Sequence, residues 1–412
     1  MEQATATRRV REVDEQPLQF ISTSNSDAPA VDLLNKLMSI AIDHEVSDIH
    51  FEWFETEMIV RFRHNGDLQE VRRVSLEMAS SFNDKIRMKA RFSMVERQLP
   101  HDGKIRFKSL ESGKVVDLRI SILPTTHGDS IVCRVLDGAK NLQTLDAIEM
   151  DADIKEAMRE VISKPQGLFL VTGPTGSGKT TTLYGIILTL RTPLNKINTV
   201  EDPVEYQLDG ICQSEVNLKM GFAQALRSML RQDPDVILVG EIRDGETAGV
   251  AVQAALTGHL VLSTLHTNSA VITLSRLLDL QVNPNALAAG LGAVCAQRLI
   301  PILCEHCREP YEPDDFERSH LVRHGVEAPS LIYRAHGAGC EHCIAGYRSR
   351  KAVIEMFTAT PAVRIAIEAS DIHALRKAAE AQPYYRTLET AAVREVARGV
   401  TSFEGANRAV GT

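Results

Sequence analysis

The stretch Leu168–Thr181, which reads LFLVTGPTGSGKTT, decides the fold of this chain. Its apolar beginning has the character of a buried strand, and Gly173–Thr180 then fits the pattern G-x-x-x-x-G-K-[ST] in full. Glycines let the backbone wrap a phosphate with its N–H groups pointing inward, and the N-terminus of the following helix adds a favourable dipole. A chance glycine loop is the alternative, but the strand before it and the helix after it favour a phosphate-binding loop.

Two polar side chains give this loop its chemistry. Lys179 is expected to reach the β- and γ-phosphates of a nucleotide, and Thr180 is expected to hold Mg²⁺. The sequence therefore predicts binding of ATP and Mg²⁺. The predicted nucleotide-binding residues are Gly173, Pro174, Thr175, Gly176, Ser177, Gly178, Lys179, Thr180 and Thr181.

Polar residues follow further apolar strands. Val236–Glu241 reads VILVGE, the Walker B arrangement, which places a carboxylate beside the metal and the attacking water. Thr199–Glu205 reads TVEDPVE, whose acids either form a solvated strand end or supply a general base. His259 and His266 flank the strand LVLST, either as structural histidines or as part of the site. Strands that alternate with helices predict a parallel sheet with its ligand at the carboxyl ends.

Four of the seven cysteines form two C-x-x-C pairs. In a reducing compartment this spacing favours a closed structural zinc site of four thiolates, whereas a redox pair would sit at a helix start after a strand. His306 and His342 lie inside the pairs and are alternative ligands. The predicted zinc ligands are Cys304, Cys307, Cys340 and Cys343.

The composition is that of an ordinary globular protein. The chain has 412 residues, 44% of them hydrophobic and 24% charged, which suggests about two to four domains. Its net charge of −8 gives no global field for nucleic acid, so no nucleic-acid partner is expected. The apolar run Ala286–Ala296 is shorter than the about 20 residues of a spanning helix, and the N-terminus lacks a signal-peptide core. We expect a cytosolic protein with at most peripheral membrane contact.

The N-terminal part has the pattern of a small α+β domain. Apolar residues at helical spacing predict a helix at Val31–Ile42, and Asn65-Gly66 is a strong hairpin signal. Ser75 is expected to cap a second helix. Two β runs follow, at Val115–Leu123 and Ile131–Leu136.

Taken together, these motifs closely resemble one family. GPTGSGKTT, TVEDPVE, DPDVILVGEIRD and GHLVLSTLHTNSA look like the Walker A motif, Asp box, Walker B motif and His box of the type II secretion and type IV pilus assembly ATPases. Upstream, SDIHFE, VRFRHNGDL, VERQLPHDGKI and DLRISILPT look like the N-terminal domain of that family. The resemblance runs from about Ser47 to the C-terminus.

The resemblance implies residue roles. Glu205 corresponds to the water-activating glutamate of the family, Glu241 to its Walker B glutamate and His266 to its His-box histidine. Arginines of the N-terminal domain reach a nucleotide in the family, and their fork suits phosphate oxygens. The candidates here are Arg97, Arg119 and Arg134.

The chain also departs from the family pattern. The family usually reads ERRLPQDGRI, so Gln98 and Lys104 each replace an expected arginine. Assembly members often carry an additional N-terminal domain, which we expect to be missing or trimmed here. The tetracysteine insertion occurs in assembly and secretion members but not in retraction members, which favours extension or secretion.

The resemblance and the motifs give the expected organisation, an α/β chain with a RecA-like P-loop ATPase domain and a smaller N-terminal α+β domain. The predicted segments are a mobile N-terminal segment at 1–28, an α+β (PAS-like) domain at 29–136, a linker at 137–143 and the ATPase domain at 144–412, with the zinc insertion at 300–350 and C-terminal helices at 358–412.

The implied function is that of an ATP-hydrolysing homo-hexameric motor on the cytoplasmic face of the inner membrane. It would power a type IV pilus or a type II secretion pseudopilus through an inner-membrane platform protein, and a cytoplasmic membrane-recruitment protein is a further partner to consider. The alternatives are a retraction or conjugative secretion ATPase, or a nucleotide-gated scaffold with little turnover. A nucleic-acid translocase would need a basic, aromatic-lined channel, whereas this chain is acidic and has a single tryptophan, Trp53.

Overall fold

The computed structural model describes residues 27–44, 46–64, 67–136, 143–217, 219–340, 342–343 and 345–411. The chain divides into two compact units, Met1–Gly138 and Ala139–Thr412. Most of the segment 1–28, the turn at Asn65-Gly66 and most of the linker at 137–143 lie outside the described residues, so those features stay predictions.

The N-terminal unit combines two helices with an antiparallel sheet. In chain order its elements are α1 (Asp27–Asp43), β1 (Asp48–Trp53), β2 (Glu57–His64), β3 (Asp67–Ser75), α2 (Leu76–Lys89), β4 (His101–Lys108), β5 (Val115–Thr125) and β6 (Gly128–Leu136). The strand order is β3-β2-β1-β6-β5-β4. Alternate strand residues share one buried core with apolar side chains of both helices, such as Leu37 and Phe82. This is the predicted α+β arrangement.

The starts of the two helices follow from local chemistry. The hydroxyl of Ser75 accepts a hydrogen bond from the backbone N–H of Met78 at 3.4 Å, which confirms the predicted cap of α2. Helix α1 begins at Asp27, ahead of the predicted Val31, so the last two residues of the segment predicted to be mobile are helical. Pro29 falls in the first turn of α1, where its missing N–H has no intrahelical partner to lose.

The second unit is built around a mostly parallel sheet. In chain order its elements are α3 (Ala152–Ile162), β7 (Gly167–Thr172), α4 (Lys179–Leu190), β8 (Ile197–Glu201), β9 (Cys212–Glu215), α5 (Phe222–Met229), β10 (Val236–Val239), α6 (Gly245–Leu256), β11 (Leu260–Leu265), α7 (Ile272–Asp279), α8 (Pro284–Gly290), β12 (Leu291–Leu303), β13 (Glu309–Tyr311), α9 (Asp315–Arg323), β14 (Ile332–Arg334), β15 (Tyr347–Thr358), α10 (Pro361–Glu368), α11 (Ile372–Glu380), α12 (Leu388–Ala397) and α13 (Phe403–Val410).

The sheet places the predicted motifs at one edge. Its strand order is β15-β12-β7-β11-β10-β8-β9, and all neighbours are parallel except β15, which is antiparallel to β12. Strands β7, β8, β10 and β11 are buried almost throughout, as expected for a parallel sheet covered on both faces. The carboxyl ends of these four strands lie side by side.

Strands β12 and β15 form a long antiparallel hairpin whose connection carries the cysteines. They pair from Ala293 with Thr358 to Leu303 with Tyr347, and β13, α9 and β14 lie in the connection. Helices α10 to α13 follow β15, in the region where the sequence predicts a helical C-terminus. Across the described parts of the chain, every helix is too short or too polar to cross a membrane.

Candidate nucleotide-binding site

A cavity of about 510 Å³ lies at the carboxyl ends of β7, β8, β10 and β11. Residues 175–181, from the glycine-rich loop and the first turn of α4, form one wall. Glu241 follows β10, His266 follows β11, and the acids of the TVEDPVE segment lie at the end of β8. The structure therefore brings the phosphate loop, the acidic segment after β8, Glu241 and His266 to one cleft, at the edge where parallel α/β sheets bind ligands.

The glycine-rich loop requires glycine at two close approaches. Gly173 has a φ of +147°, and a Cβ there would lie 2.6 Å from the carbonyl oxygen of Gln297. Gly178 has a φ of +86°, and a Cβ there would lie 2.7 Å from Nε2 of Gln297. Helix α4 begins directly afterwards, and the first N–H groups of a helix have no intrahelical acceptor. These N–H groups, at the positive end of the helix, suit a phosphate.

The polar side chains of the loop fit a nucleotide with Mg²⁺. The ammonium of Lys179 donates hydrogen bonds to the carbonyl oxygens of Gly173 at 2.8 Å and Pro174 at 3.0 Å. Burial lowers the pKa of Lys179, and the opposite charge of Glu241 offsets this only in part. Thr180 is exposed at the wall of the cleft. Mg²⁺ prefers oxygen ligands such as hydroxyl and carboxylate groups. The cleft offers both, the hydroxyl of Thr180 and the carboxylate of Glu241.

Glu241 lies among charged neighbours from three strand ends. One oxygen of its carboxylate accepts a hydrogen bond from Arg243, and the other lies 3.7 Å from Nε2 of His266. Arg243 also pairs with Asp202 at 3.2 Å. Arg243 thus bridges the Walker B strand and the acidic segment after β8. Sequence reasoning did not single out Arg243, although it stands in the quoted string DPDVILVGEIRD.

The second flanking histidine does not reach the cleft. His259 lies at the amino end of β11, and its Nδ1 is 3.0 Å from the carbonyl oxygen of Ala254, near the end of α6. His259 is therefore a structural residue at a helix end. Strand direction separates the two histidines, because only His266 follows the carboxyl end of β11.

A buried tyrosine of α4 organises the acidic segment after β8. The hydroxyl of Tyr184 donates to the carboxylate of Glu201, and the backbone N–H groups of Glu205 and Tyr206 lie near its oxygen. Glu201 also accepts from the hydroxyl of Thr199 at 2.5 Å. Burial raises the pKa of Glu201, and its hydrogen-bond donors offset this only in part. Tyr184 therefore ties the helix of the phosphate loop to the backbone that carries Glu205.

Strand β12 supports the loop from beneath. The side-chain amide of Gln297 donates to the carbonyl oxygen of Ser177 at 2.8 Å, and its oxygen accepts from the hydroxyl of Thr182 at 2.8 Å. Leu299 and Arg350 line the cleft from β12 and β15. Sequence reasoning missed all of these supports, since nothing in the local pattern links residues so far apart in the chain.

The N-terminal unit carries a row of cations on the face of its sheet opposite the core. Arg119 on β5 lies directly opposite Arg134 on β6 and opposite Lys104 on β4. Like charges placed directly opposite each other are unfavourable, so the row suits an anion. Arg134 also donates to Asp48 at 2.8 Å. Burial favours a higher pKa for Asp48, but the hydrogen bonds and charge of its donors outweigh burial and hold that pKa below its usual value.

Arg97 lies apart from this row. Its guanidinium donates to the carboxylate of Asp84 at 2.7 Å and to the carbonyl oxygen of Met94 at 3.2 Å. Arg97 and Asp84 are both exposed, with 44% and 41% of their side chains accessible. The structure thus joins two of the three arginine candidates in one row and gives the third a local partner.

The four paired cysteines come together at the base of the insertion. The Sγ atoms of Cys304 and Cys340 are 3.7 Å apart, those of Cys307 and Cys343 are 3.5 Å apart, and all four lie within 4.8 Å of one another. Zinc held by four thiolates has Zn–S bonds of about 2.3 Å, which places the sulfurs of a tetrahedron about 3.8 Å apart. The arrangement therefore fits a closed tetrathiolate site.

Known proteins match most of the chain. The family described as Type II/IV secretion system protein matches residues 23–408. Type II secretion system protein E of Pseudomonas aeruginosa is 45% identical over 387 residues, which are 92% of this chain and 75% of that protein. The type IV pilus assembly ATPase PilB of the same species is 41% identical over 392 residues, which are 94% of this chain and 68% of that protein.

A solved structure agrees with the fold. The crystal structure of the pilus retraction motor PilT with bound ADP matches with a TM-score of 0.67 at 25% identity, covering 91% of this chain and 96% of that chain. These relatives confirm the family resemblance and the predicted fold class.

We expect Tyr184→Phe to slow ATP turnover while leaving ATP binding nearly unchanged. The change removes the hydroxyl that bonds to Glu201 beside the backbone of Glu205, but it keeps the ring. A displaced catalytic group costs roughly 10- to 100-fold in rate, and steady-state hydrolysis with a separate nucleotide-binding titration measures both effects.

Tyr384→Phe is the matched control. This change removes a 2.7 Å hydrogen bond from Tyr384 to Gln382, away from the cleft. ATP turnover of the variant should stay near that of the unaltered protein. Equal turnover of the two variants would show that the hydroxyl of Tyr184 has no role in hydrolysis.

Proposed function

We propose a motor function for this chain, which belongs to the Type II/IV secretion system protein family and is an ATPase of that family. Hydrolysis of ATP in the cleft of the second unit drives assembly of a type II secretion pseudopilus or a type IV pilus. The observation that carries this proposal is the cleft itself, where the phosphate loop shares one cavity with Glu205, Glu241 and His266. The names of the relatives support the secretion or assembly role.

In this proposal each residue of the cleft has a distinct role in ATP hydrolysis. Lys179 and the loop N–H groups hold the β- and γ-phosphates, and Thr180 is the magnesium ligand. Glu205 takes the proton of the attacking water. Glu241, which is oriented by Arg243 and His266, lies beside the magnesium site. When bound, Mg²⁺ offsets phosphate charge. The family resemblance supports this division, and Glu205 and Glu241 line the cleft from the ends of different strands.

The working assembly is proposed to be a homo-hexamer that acts on an inner-membrane platform protein. Cations of the N-terminal unit, Arg119 and Arg134 above all and Arg97 with them, supply charge to the γ-phosphate of the same or a neighbouring subunit. What supports this is the row of opposed cations, together with the predominance of acids at the cleft. A cytoplasmic recruitment protein would bring the motor to the inner face of the membrane.

The proposal includes a structural zinc ion bound by the four thiolates. The Sγ distances suit a tetrahedral site, and both cysteine pairs lie where the β12–β15 hairpin opens into the insertion. The backbone N–H of Cys304 donates to the carbonyl oxygen of Gly346 at 2.8 Å, so the site closes the base of the insertion. Zinc therefore stabilises a segment outside the nucleotide cleft.

The central prediction concerns the two acids of the cleft. Glu205→Gln and Glu241→Gln keep the shape of each side chain and remove its charge, so ATP binding should survive while turnover falls. A general base contributes about 10²–10⁴-fold to the rate. Lys179→Ala should also weaken ATP binding, because the β- and γ-phosphates lose their cation. Steady-state hydrolysis and binding of an ATP analogue measure these effects.

Glu404→Gln, a change in an exposed pair with Arg408, is the control and should be silent. Normal hydrolysis by Glu205→Gln would place the general base elsewhere. Near-normal turnover by Lys179→Ala would contradict the assigned site. Tight ATP binding without turnover in the unaltered protein would instead favour the nucleotide-gated scaffold.

A second prediction concerns the row of cations. Arg119→Ala and Arg134→Ala should lower turnover far more than ATP affinity, since an arginine that stabilises transition-state charge contributes about 10³-fold or more. Arg106→Ala, on the same face of β4 but paired with Asp117 at 3.2 Å, is the matched control. Mixing Arg119→Ala with Lys179→Ala protein should restore some activity if the arginine acts on a neighbouring subunit. Inactivity in mixed hexamers would restrict it to its own subunit.

A third prediction concerns the metal. The purified, reduced protein should contain about one zinc per subunit. Changing Cys340 and Cys343 to Ser should release it and lower the unfolding temperature, while nucleotide binding stays largely intact. Cys212→Ser, at an exposed thiol of β9, should change neither. Metal analysis of fresh protein that finds no zinc would remove the ion from the proposal.

A further inference from the structure

Two buried charged side chains project from the sheet of the second unit on the face opposite the phosphate loop. Gln297 faces the loop, so the adjacent Arg298 faces away, because strand side chains alternate. Glu355 on β15 lies opposite Ala296 and therefore shares the face of Arg298. Arg298 is 8% exposed and Glu355 is 3% exposed, and both border a cavity of about 430 Å³. Charged groups at this depth require partners.

The partners of Glu355 come from two separate segments. Its carboxylate accepts the backbone N–H of Ala270 at 2.9 Å, and the N–H of Val271 donates to it as well. From the other segment, Tyr385 and Leu388 line the same cavity as Glu355, and the hydroxyl of Tyr385 and the N–H of Leu388 lie near its carboxylate. One buried side chain thus joins the chain before α7 to the chain before α12.

Both of these segments begin helices. Val271 is the N-cap of α7 and makes no side-chain capping bond of its own, and Glu355 lies just ahead of this helix, where it accepts the N–H of Ala270. Leu388 is the first residue of α12. The first N–H groups of a helix lack intrahelical partners, and the N-terminus carries the positive end of the helix dipole. Both helices therefore favour a carboxylate at the position of Glu355.

The first segment leads directly from the nucleotide cleft. His266 lies at the cleft, 3.7 Å from the carboxylate of Glu241, and the chain then runs through Asn268 to Ala270. Arg298 holds the middle of this stretch, because its guanidinium donates to the carbonyl oxygen of Asn268 at 3.2 Å. The chain after His266 is thus held by two buried side chains of the β12–β15 hairpin.

We propose that Glu355 is a positioning residue for ATP hydrolysis, which joins the segment after His266 to the N-terminus of α12 so that the C-terminal helices set the place of His266 beside Glu241. This inference rests on the proposed ATPase function. Glu355 is not among the residues that line the nucleotide cleft, and it acts through residues 268–271. A shift of α12 moves Leu388, which lies near the carboxylate that anchors Ala270, and this links the C-terminal helices to the cleft.

Glu355→Gln tests the link, because the amide keeps the size of the side chain but replaces one acceptor oxygen with a donor. We expect kcat for ATP to fall about tenfold, while KM and the affinity for an ATP analogue stay within about twofold of the unaltered values. Hydrogen exchange should become faster both at 268–272 and at 385–390. The full chain is used throughout.

Glu395→Gln is the matched control. Glu395 is 1% exposed and pairs with Lys351 at 2.8 Å in the same unit, but it has no contact with the segment after His266 among the hydrogen bonds and ion pairs of the described residues. The Glu395→Gln variant should have a lower free energy of unfolding but an unchanged kcat for ATP.

Unchanged exchange at 268–272 in Glu355→Gln would overturn the inference, and so would an equal loss of kcat in both glutamine variants. Absence of turnover in the unaltered protein would count against the proposed function instead, and the exchange data would still decide on the link.

Discussion

The close contact between β12 and the phosphate loop is the constraint on which the site depends. The side chain of Gln297 fills the space beneath the loop and bonds to Ser177 and Thr182. The backbone carbonyl of Gln297 leaves no room for a Cβ at Gly173, and its side-chain amide leaves none at Gly178, so the neighbouring strand by itself requires glycine at both positions. With the loop fixed in this way, α4 begins at Lys179 and its free N–H groups face the cleft.

Because side chains alternate along a strand, the two faces of β12 contact different parts of the site. Gln297 and Leu299 share the face that supports the loop and lines the cleft, whereas Arg298 faces the other side and holds the chain after His266. Strand β15 repeats the pattern, with Arg350 at the cleft and Glu355 on the opposite face. A single antiparallel hairpin therefore contacts both the phosphate loop and the His-box segment.

The sequence predicts correctly those elements that are defined by residues close together along the chain. The phosphate loop, the Walker B strand and the capped helix after Ser75 each depend on neighbours along the chain, and all three elements occur as predicted. Strands β1 and β4 were not predicted as strands, although the residues of β1 alternate between polar and apolar as those of a half-buried strand do. The contacts of Tyr184 with Glu201 and of Glu355 with Ala270 join distant parts of the chain, and no local pattern encodes them.

The cysteine insertion and the support of the nucleotide cleft involve different parts of the β12–β15 hairpin. The insertion leaves the sheet at Leu303 and returns at Tyr347, and the two strands pair from there to Ala293 and Thr358, with one register shift between Ile302 and Leu303. Gln297 and Glu355 lie within the paired region, so backbone hydrogen bonds fix their positions without help from the cysteines. The four cysteines lie beyond the last paired residues, within the segment that connects the two strands. The hairpin thus anchors the insertion, and the support of the loop does not depend on it.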